Sequence, residues 1–261
     1  MTHRTLIAAL ISKGKRYDGR KIMEYRPIDI ETGVVPKANG SARVKIGKTE
    51  VLVGVKFDVD VPFPDTPDEG ILIVNAELCP IANPEFEPGP PTPDAIELAR
   101  VVDRGIRESG CIDFNSLCIK PKEKVWVLFV DIYPINDDGN LLDASALAAI
   151  AAIATAKLPK YDEPNDIVLY KELTNNKIKL KDYPILTTFI KIDEFLLADP
   201  DKKEEQAMDA RLSISTLSNG NLAAMQKGSF GTFSKEEILK LIDFAKENGN
   251  NLRKILKEAI K

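Results

Sequence analysis

The chain has 261 residues, 44% of them hydrophobic and 29% charged, which is typical of a globular protein with one large domain or two modest ones. Its formal net charge of -4 argues against a broadly basic nucleic-acid coat, so any contact with nucleic acid must come from a local cluster of cations. A single histidine, His3, and three cysteines without metal-ligand spacing argue against a zinc site.

The sequence shows no signal for a membrane or for secretion. The longest apolar run, residues 144–156, contains Ser145 and Thr155 and is too short to span a bilayer. The N-terminal apolar stretch is also short and lacks the small-residue cleavage pattern of a signal peptide. We therefore predict a soluble, cytoplasmic protein without membrane contact.

The first part of the chain predicts a helix followed by strands. The predicted elements are a helix at residues 3–13, strands at residues 41–46, 50–57 and 71–78, and a proline-rich loop at residues 80–93. A three-residue loop containing Gly47 joins the first two strands, which is the signature of a β-hairpin.

The middle of the chain predicts two helices around a buried strand. The first helix spans residues 94–109, and Asp94 with Glu97 has the spacing of a capping box at its start. An apolar strand is predicted at residues 124–132. The alanine-rich helix at residues 143–157 has small residues all round, so we expect it to be packed between other elements.

The last part repeats the pattern of strands followed by a helix. A break is predicted at residues 158–165, and the later strands are predicted at residues 166–170, 184–192, 210–216 and 221–226. Ser234, with Glu237 three residues on, predicts the start of a final helix, which is expected to kink or split at Gly249. The order of elements predicts an α+β protein with two lobes, residues 1–160 with the N-terminal helix and residues 161–261.

Three arginines, Arg100, Arg104 and Arg107, fall on one face of the helix at residues 94–109. Guanidinium groups offer forked donors to phosphate oxygens and keep their charge, so this face would suit a nucleic-acid backbone. The alternative is a solvated face on which nearby carboxylates pair with the arginines, and the residues alone favour it. The carboxylates concerned are those of Glu97, Asp103 and Glu108.

An acidic stretch at residues 199–209 has a similar ambiguity. Its five carboxylates offer the oxygen ligands that Mg²⁺ prefers, and they belong to Asp199, Asp201, Glu204, Glu205 and Asp209. Loops of interleaved acids and lysines are common, however, so the residues alone favour a solvated connection.

The turn at residues 136–143 leads from the apolar strand into the alanine-rich helix. Such turns bind phosphate readily, because the helix N-terminus presents unpaired N–H groups and a partial positive charge. Here the turn carries Asp137, Asp138 and Asp143, which are predicted to cap the helix and would repel phosphate. With the only histidine near the N-terminus, nucleophilic triads are not expected, and no catalytic residue is assigned.

An ordered series of motifs over residues 16–260 resembles the RNase PH family. The motifs are Arg16-Tyr17-Asp18-Gly19-Arg20 before Arg26-Pro27-Ile28, Asn39-Gly40-Ser41-Ala42, the arginine helix at residues 96–104, Asp138-Gly139-Asn140, Met208-Asp209-Ala210-Arg211-Leu212 and Met225-Gln226-Lys227-Gly228. The chain is most similar to the catalytically silent RNase PH-type subunit of the archaeal exosome ring. This resemblance implies an RNase PH-like fold.

Two departures from the pattern of active members support the silent subunit. Active members are expected to carry Gly-Ser/Thr-Arg after the central strand, where this chain has Gly139-Asn140-Leu141, and leucine cannot donate to phosphate. Active members also carry an acidic pair in the second lobe. The expected alignment puts Gln206 at one of these positions, with Asp209 as the nearest remaining acid.

The resemblance implies a structural and RNA-binding subunit of a phosphorolytic 3′→5′ exoribonuclease. The expected assembly is a ring of three heterodimers with a catalytic paralogue, together with RNA-binding cap proteins and single-stranded RNA. Phosphate and Mg²⁺ are expected at the partner's active site, and no metal or cofactor is expected in this chain. Arg100 and Arg104, and less directly Arg107, are expected to contact the RNA backbone beside the partner's active site.

Two alternatives remain. In the first alternative, the chain is an active RNase PH-type phosphorolytic exoribonuclease in its own right, with Asp199, Asp201 or Asp209 holding magnesium. In the second, it is a metabolic enzyme or a ribosome-associated module on a similar α+β lobe, without RNA phosphorolysis.

Overall fold

The computed structural model describes the backbone of residues 3–261 and the side chains of residues 4–261. The helices are α1 (His3–Ile11), α2 (Pro93–Arg107), α3 (Leu141–Thr155), α4 (Lys202–Ala207) and α5 (Lys235–Ala259). The strands are β1 (Ile28–Thr32), β2 (Gly40–Ile46), β3 (Thr49–Asp60), β4 (Ile71–Ala76), β5 (Cys118–Lys120), β6 (Lys124–Asn136), β7 (Lys157–Asp162), β8 (Ile167–Lys177), β9 (Ile185–Ile192), β10 (Phe195–Ala198), β11 (Ala210–Thr216) and β12 (Leu222–Gly228). A short 3₁₀ turn at Phe114–Leu117 precedes β5.

The first sheet has the strand order β1-β2-β3-β6-β4, with β5 also paired to β6. Its pairs are antiparallel except for β4 and β6. Alternate residues of β3, including Val51, Val53 and Val55, are buried on one face, as the period of a half-buried strand requires. The predicted hairpin of β2 and β3 is present. Its loop is the two residues between Ile46 and Thr49, one fewer than predicted, and Gly47 adopts a φ of +60° there.

The helices α2 and α3 lie between the first sheet and a second sheet with the order β10-β9-β11-β12. The predicted deep burial of α3 is confirmed, since it packs on β2 and β3 at one side and on β9 at the other. The approach is close, because a Cβ added at Gly40 would lie 2.3 Å from the carbonyl oxygen of Ala152. Small side chains all round α3 are what allows two sheets to approach it.

The second sheet is covered by α5 on one face and by α1, together with α2 and α3, on the other. Leu241 and Ala245 of α5 pack with Phe189 and Ile214, and the capping box predicted at Ser234 and Glu237 is present at its start. On the other face, α1 packs through Ile7 and Ile11 on Ile190, Ile192, Leu197 and Ala207. The N-terminal helix therefore lies against the second sheet. The division into lobes at residue 160 stays a prediction.

Several sequence predictions were wrong. The predicted break at residues 158–165 is mostly the strand β7, which pairs with β8, while β1 and β10 were not predicted at all. The final helix continues through Gly249, where a Cβ would lie 2.6 Å from Thr216 Oγ1, so this glycine allows close packing and causes no break. The cap of α2 is Thr92, whose hydroxyl accepts from the N–H of Ala95, and Asp94 lies inside the helix.

Among residues 3–261, no helix combines the length and the apolar character needed to cross a bilayer.

Candidate nucleic-acid interface

The sequence of α2 explains how it presents two arginines to solvent. Thr92 caps the helix and Pro93 starts it with a φ that suits the first turn. The apolar side buries Leu98, Val101, Val102 and Ile106 against the core. With this side fixed, the residues at positions 100 and 104 must lie on the opposite, exposed side.

Within residues 4–261, Arg100 and Arg104 are unpaired, whereas Arg107 is paired. Among the residues with described side chains, no carboxylate lies within 4.0 Å of either guanidinium. Arg107 instead donates to both carboxylate oxygens of Asp103, at 2.7 and 3.1 Å, and to the carbonyl of Leu72 at 3.0 Å. The solvated-pair alternative therefore holds for Arg107 only. The other two arginines keep their full charge available to a ligand.

A cleft of about 580 Å³ opens beside these two arginines. Ile96, Glu97 and Val101 line it from α2, together with Arg100 and Arg104. The opposite wall belongs to the second sheet and consists of Leu186, Ser213, Ala224, Met225 and Gln226. Glu97 makes an ion pair with Arg211 at 2.6 Å, so this carboxylate is occupied.

The turn before α3 is closed by the protein itself. Asn140 is 1% exposed and adopts a left-handed conformation with a φ of +58°. Its side-chain amide donates to Asp143 at 2.9 Å and to Asp199 at 2.8 Å. Its backbone N–H, at the start of the helix, donates to Glu205 Oε1 at 2.8 Å. A carboxylate of this chain therefore lies where a helix N-terminus would receive an anion.

The environment of Glu205 is unfavourable to charge. Burial raises the pKa of Glu205 to about 7, although the N–H of Asn140 and the charge of Lys202 act in the opposite direction. Lys202 is itself held by Asp137 at 2.5 Å. Leu141 and Leu142 line a small cleft together with Glu205, Lys202 and Arg211. Its cations are thus already paired, and the residues present do not fit an inorganic phosphate.

The expectation that Asp137, Asp138 and Asp143 cap α3 was wrong. Asp137 accepts from the N–H of Gly139 and from Asn83, while Asp138 lies 3.8 Å from Arg26. Asp143 is buried and accepts from the Tyr25 hydroxyl at 2.7 Å and from Thr188 through N and Oγ1. Burial raises the pKa of Asp143 to about 6 despite these donors. The carboxylates of this turn therefore accept hydrogen bonds from the turn itself and from neighbouring segments, rather than from the N–H groups at the start of α3.

The acidic stretch at residues 199–209 is structured, contrary to the prediction of a solvated loop. Asp199 is fully buried; burial alone would raise its pKa, but the hydrogen bonds and charge of Arg26 hold that pKa below the usual range. Asp201 caps α4 by accepting from the N–H of Glu204 at 2.9 Å. Asp209 pairs with Arg4 at 2.8 Å. Each of these carboxylates is therefore engaged by a cation or by the backbone.

Sequence reasoning included two acidic residues of the turn region in the acidic stretch but gave them no role of their own. Glu205, rather than Gln206, faces Asn140, because α4 points its fourth residue towards the turn. Glu204 is buried in an ion pair with Arg16. The signal available was Asp201 with Glu204 three residues later, the spacing of a capping box, which would have predicted a helix and hence which acids face inwards.

The chain matches two family descriptions in order. Residues 24–159 match "3' exoribonuclease family, domain 1" and residues 182–248 match "3' exoribonuclease family, domain 2".

Full-length relatives and solved structures agree with this match. The exosome complex component Rrp42 of Thermococcus gammatolerans is 48% identical over 98% of this chain and 94% of its own length. A chain in the structure described as "archaeoglobus fulgidus exosome with RNA bound to the active site" superposes with a TM-score of 0.90, at 44% identity over 97% of this chain and 96% of that one. A chain of "Archaeal exosome core" superposes with a TM-score of 0.85, at 41% identity over 98% of this chain and 96% of that one. The predicted RNase PH-like α+β fold is confirmed.

Proposed function

This chain belongs to the 3′ exoribonuclease (RNase PH) family, and from that membership we propose that it is a subunit of an archaeal exosome. The proposed complex degrades RNA from the 3′ end by phosphorolysis. This chain contributes its fold and an RNA-binding face, and a paralogous subunit contributes catalysis. The similarity to Rrp42 proteins over almost the whole chain supports an exosome component rather than an independent nuclease.

The turn before α3 is the observation that carries the proposed lack of catalysis. An attacking phosphate needs cations and free N–H groups. In this turn Glu205 accepts from the N–H of Asn140, Leu141 replaces a donor, and Lys202 is neutralised by Asp137. A phosphate entering here would find the N–H at the helix N-terminus already bound to the side chain of Glu205. Phosphate and Mg²⁺ would act at the paralogue's site instead.

The RNA-binding role rests on Arg100 and Arg104. Two guanidiniums that have no partner among the described side chains, one helical turn apart, match a strand of phosphodiesters and are indifferent to base identity. The proposed assembly is a ring of three heterodimers with RNA-binding cap proteins, located in the cytoplasm. In such a ring a chain with a net charge of -4 serves RNA by placing its few free cations along the strand's path.

The lack of catalysis is tested on the purified chain. Incubated with poly(A), phosphate and Mg²⁺, it is expected to release no nucleoside diphosphate, whereas the chain co-expressed with its paralogue is expected to release it steadily. Robust release by the chain alone, in fractions free of the paralogue by mass spectrometry, would establish the active-enzyme alternative.

The RNA-binding role is tested in the reconstituted ring by Arg100→Glu combined with Arg104→Glu. Turnover at limiting RNA is expected to fall about tenfold or more, because two phosphate contacts become repulsive, while the mass of the ring stays unchanged. The matched control is Lys240→Glu with Lys254→Glu, an equal charge change at exposed positions of α5. This helix packs on the Phe189 and Ile214 face of the second sheet, opposite to the face that lines the cleft. If both pairs of substitutions lower turnover equally, the loss is due to the change in net charge and not to the position of Arg100 and Arg104.

A further inference from the structure

We infer that the cleft between α2 and β12 receives one unstacked nucleobase of the RNA strand whose phosphates Arg100 and Arg104 contact. This inference rests on the proposed RNA-binding function and extends it from the backbone to the base.

The walls of the cleft are apolar where a flat ring would lie. Val101, Leu186 and Ala224 form part of the lining, and Ile96 exposes 52% of its surface. The volume of about 580 Å³ is within the range of small-molecule sites. Exposed apolar side chains grouped in a concave site indicate a ligand with an apolar face.

The polar groups of the cleft also fit a base. The half-buried amide of Gln226 donates one N–H to the carbonyl of Lys227 at 3.4 Å, which leaves its second N–H and its oxygen for a base edge. The hydroxyl of Ser213 is already engaged with Thr188 Oγ1 at 2.9 Å, so it contributes shape only. Because no aromatic residue is among the described residues that line the cleft, the base is expected to be held by apolar contacts, which accept any base.

The charges at the rim favour RNA over a segment of a neighbouring protein. Among the described side chains, Arg100 and Arg104 line the cleft without a carboxylate partner, and Glu97 is neutralised by Arg211, which leaves Asp94 as the remaining free acid of the lining. An apolar body attached to an anion is the ligand that satisfies both features, and a nucleotide is such a ligand. Guanidinium planes also stack on unstacked bases.

The experiment compares two oligomers by fluorescence anisotropy with the full-length chain: a labelled oligoadenylate, and an oligomer of the same length in which every nucleotide is abasic. The wild-type chain is expected to bind the oligoadenylate about tenfold more tightly, which is near the lower end of what one base stacked on an aromatic side chain contributes. Ala224→Phe fills the cleft without changing charge and is expected to abolish this preference. Ala223→Phe, the same change at the adjacent strand residue outside the cleft lining, is expected to retain it.

The outcomes separate the base cleft from the phosphate contacts. Arg100→Glu with Arg104→Glu is expected to weaken both oligomers alike; if it weakens neither, the proposed phosphate contacts fail regardless of the cleft. A base preference that survives Ala224→Phe in a folded protein overturns the inference. The inference is also overturned if Ala224→Phe keeps the preference for the oligoadenylate but prevents ring assembly, because the cleft would then bind a protein segment.

Ile96→Ser, at an exposed helix position, is a second test of the cleft. It removes apolar contact from the other wall and is expected to reduce the preference for the oligoadenylate, and no reduction would count against the cleft.

Discussion

The turn before α3 and the outer face of α2 are both rich in charge, yet they differ in how that charge is satisfied. At the turn, the carboxylates of Asp199, Asp143 and Glu205 are bound by groups of this chain, and Asp199 is fully buried. On α2, Arg100 and Arg104 are exposed and have no partner among the described side chains. The first region stabilises the fold, and the second is available to another molecule.

The difference shows that the presence of charged residues does not by itself indicate a binding site. Buried polar and charged groups cost solvation and take up partners inside the protein, so a cluster whose groups are already hydrogen-bonded has little left to offer a ligand. Exposed cations cost little to leave unpaired. Function is therefore best sought where the charges are unpaired, and stability where they are paired.

The largest expected effect is that of Arg26→Ala at the turn. Arg26 binds both oxygens of Asp199, at 2.8 and 2.9 Å, and donates to the carbonyls of Asp138 and Gly139. Removing it leaves a buried carboxylate with fewer partners, and the free energy of unfolding should fall by about 3–5 kcal/mol. Urea unfolding of the isolated chain measures this. Arg43→Ala, which breaks an exposed pair with Glu31, should cost only about 0–1 kcal/mol. Similar losses for both would remove the distinction between the two kinds of charge.

A smaller loss is expected when the turn is pushed away from α4 by Gly139→Ala. Gly139 has a φ of +85°, and a Cβ there would lie 2.5 Å from the backbone of Asp201 and Lys202. Strain and overpacking together should cost about 2–4 kcal/mol. In α2, the Cβ of Gly105→Ala would lie 3.5 Å from Ser215 Oγ, an ordinary contact, so helix propensity should raise stability by about 0.5–1 kcal/mol. Urea unfolding should therefore give a lower free energy of unfolding for Gly139→Ala and a higher one for Gly105→Ala. A change of the same sign for both would contradict the close packing of the turn against α4.

Glu205→Gln should show a pH-dependent gain in stability. Because burial raises the pKa of Glu205 to about 7 in the folded chain, the folded state holds a proton that the unfolded state releases near its ordinary pKa. Wild-type stability should therefore fall as the pH rises through that window, and the glutamine variant should escape this loss. Allowing for partial exposure, the gain at about pH 8 is expected to be on the order of 1–2 kcal/mol and to disappear by about pH 5. Glu194→Gln, at an exposed turn, is the control and should change stability little at either pH. A pH-independent gain would place Glu205 outside the buried cluster.

The sequence predicted most of the fold because hydrophobic periodicity and caps are local signals. The burial of α3 could be read from its small residues, and the start of α5 from Ser234 and Glu237. The strand β7 was missed because Pro159 and the charges around it are typical of a loop, whereas pairing with β8 decides its conformation. Gly249 was misread for a similar reason, since only the packed structure reveals its contact with Thr216.

The two candidate regions were predictable to different degrees. Helical spacing placed Arg100 and Arg104 together, since their relation is set within one helix. Nothing local distinguished Arg107 from the other two arginines. All three have a carboxylate at helical spacing in the sequence, and only the structure shows that Arg107 pairs with Asp103. The contact between Glu205 and Asn140 joins residues 65 positions apart, and such a pairing follows from the fold rather than from any pattern.

The smallest expected effect concerns the salt dependence of RNA binding and tests the α2 face most directly. Arg100→Gln with Arg104→Gln removes two phosphate contacts without introducing repulsion, so the slope of log affinity against log salt should become shallower by about 1.4 for a single strand. Lys240→Gln with Lys254→Gln should leave the slope unchanged, as these lysines lie on the other side of the second sheet. Adding Arg107→Gln to the arginine pair should change the slope no further, because Arg107 is neutralised by Asp103. A further shallowing of about 0.7 would show that RNA displaces that carboxylate, and all three arginines would then belong to the binding face.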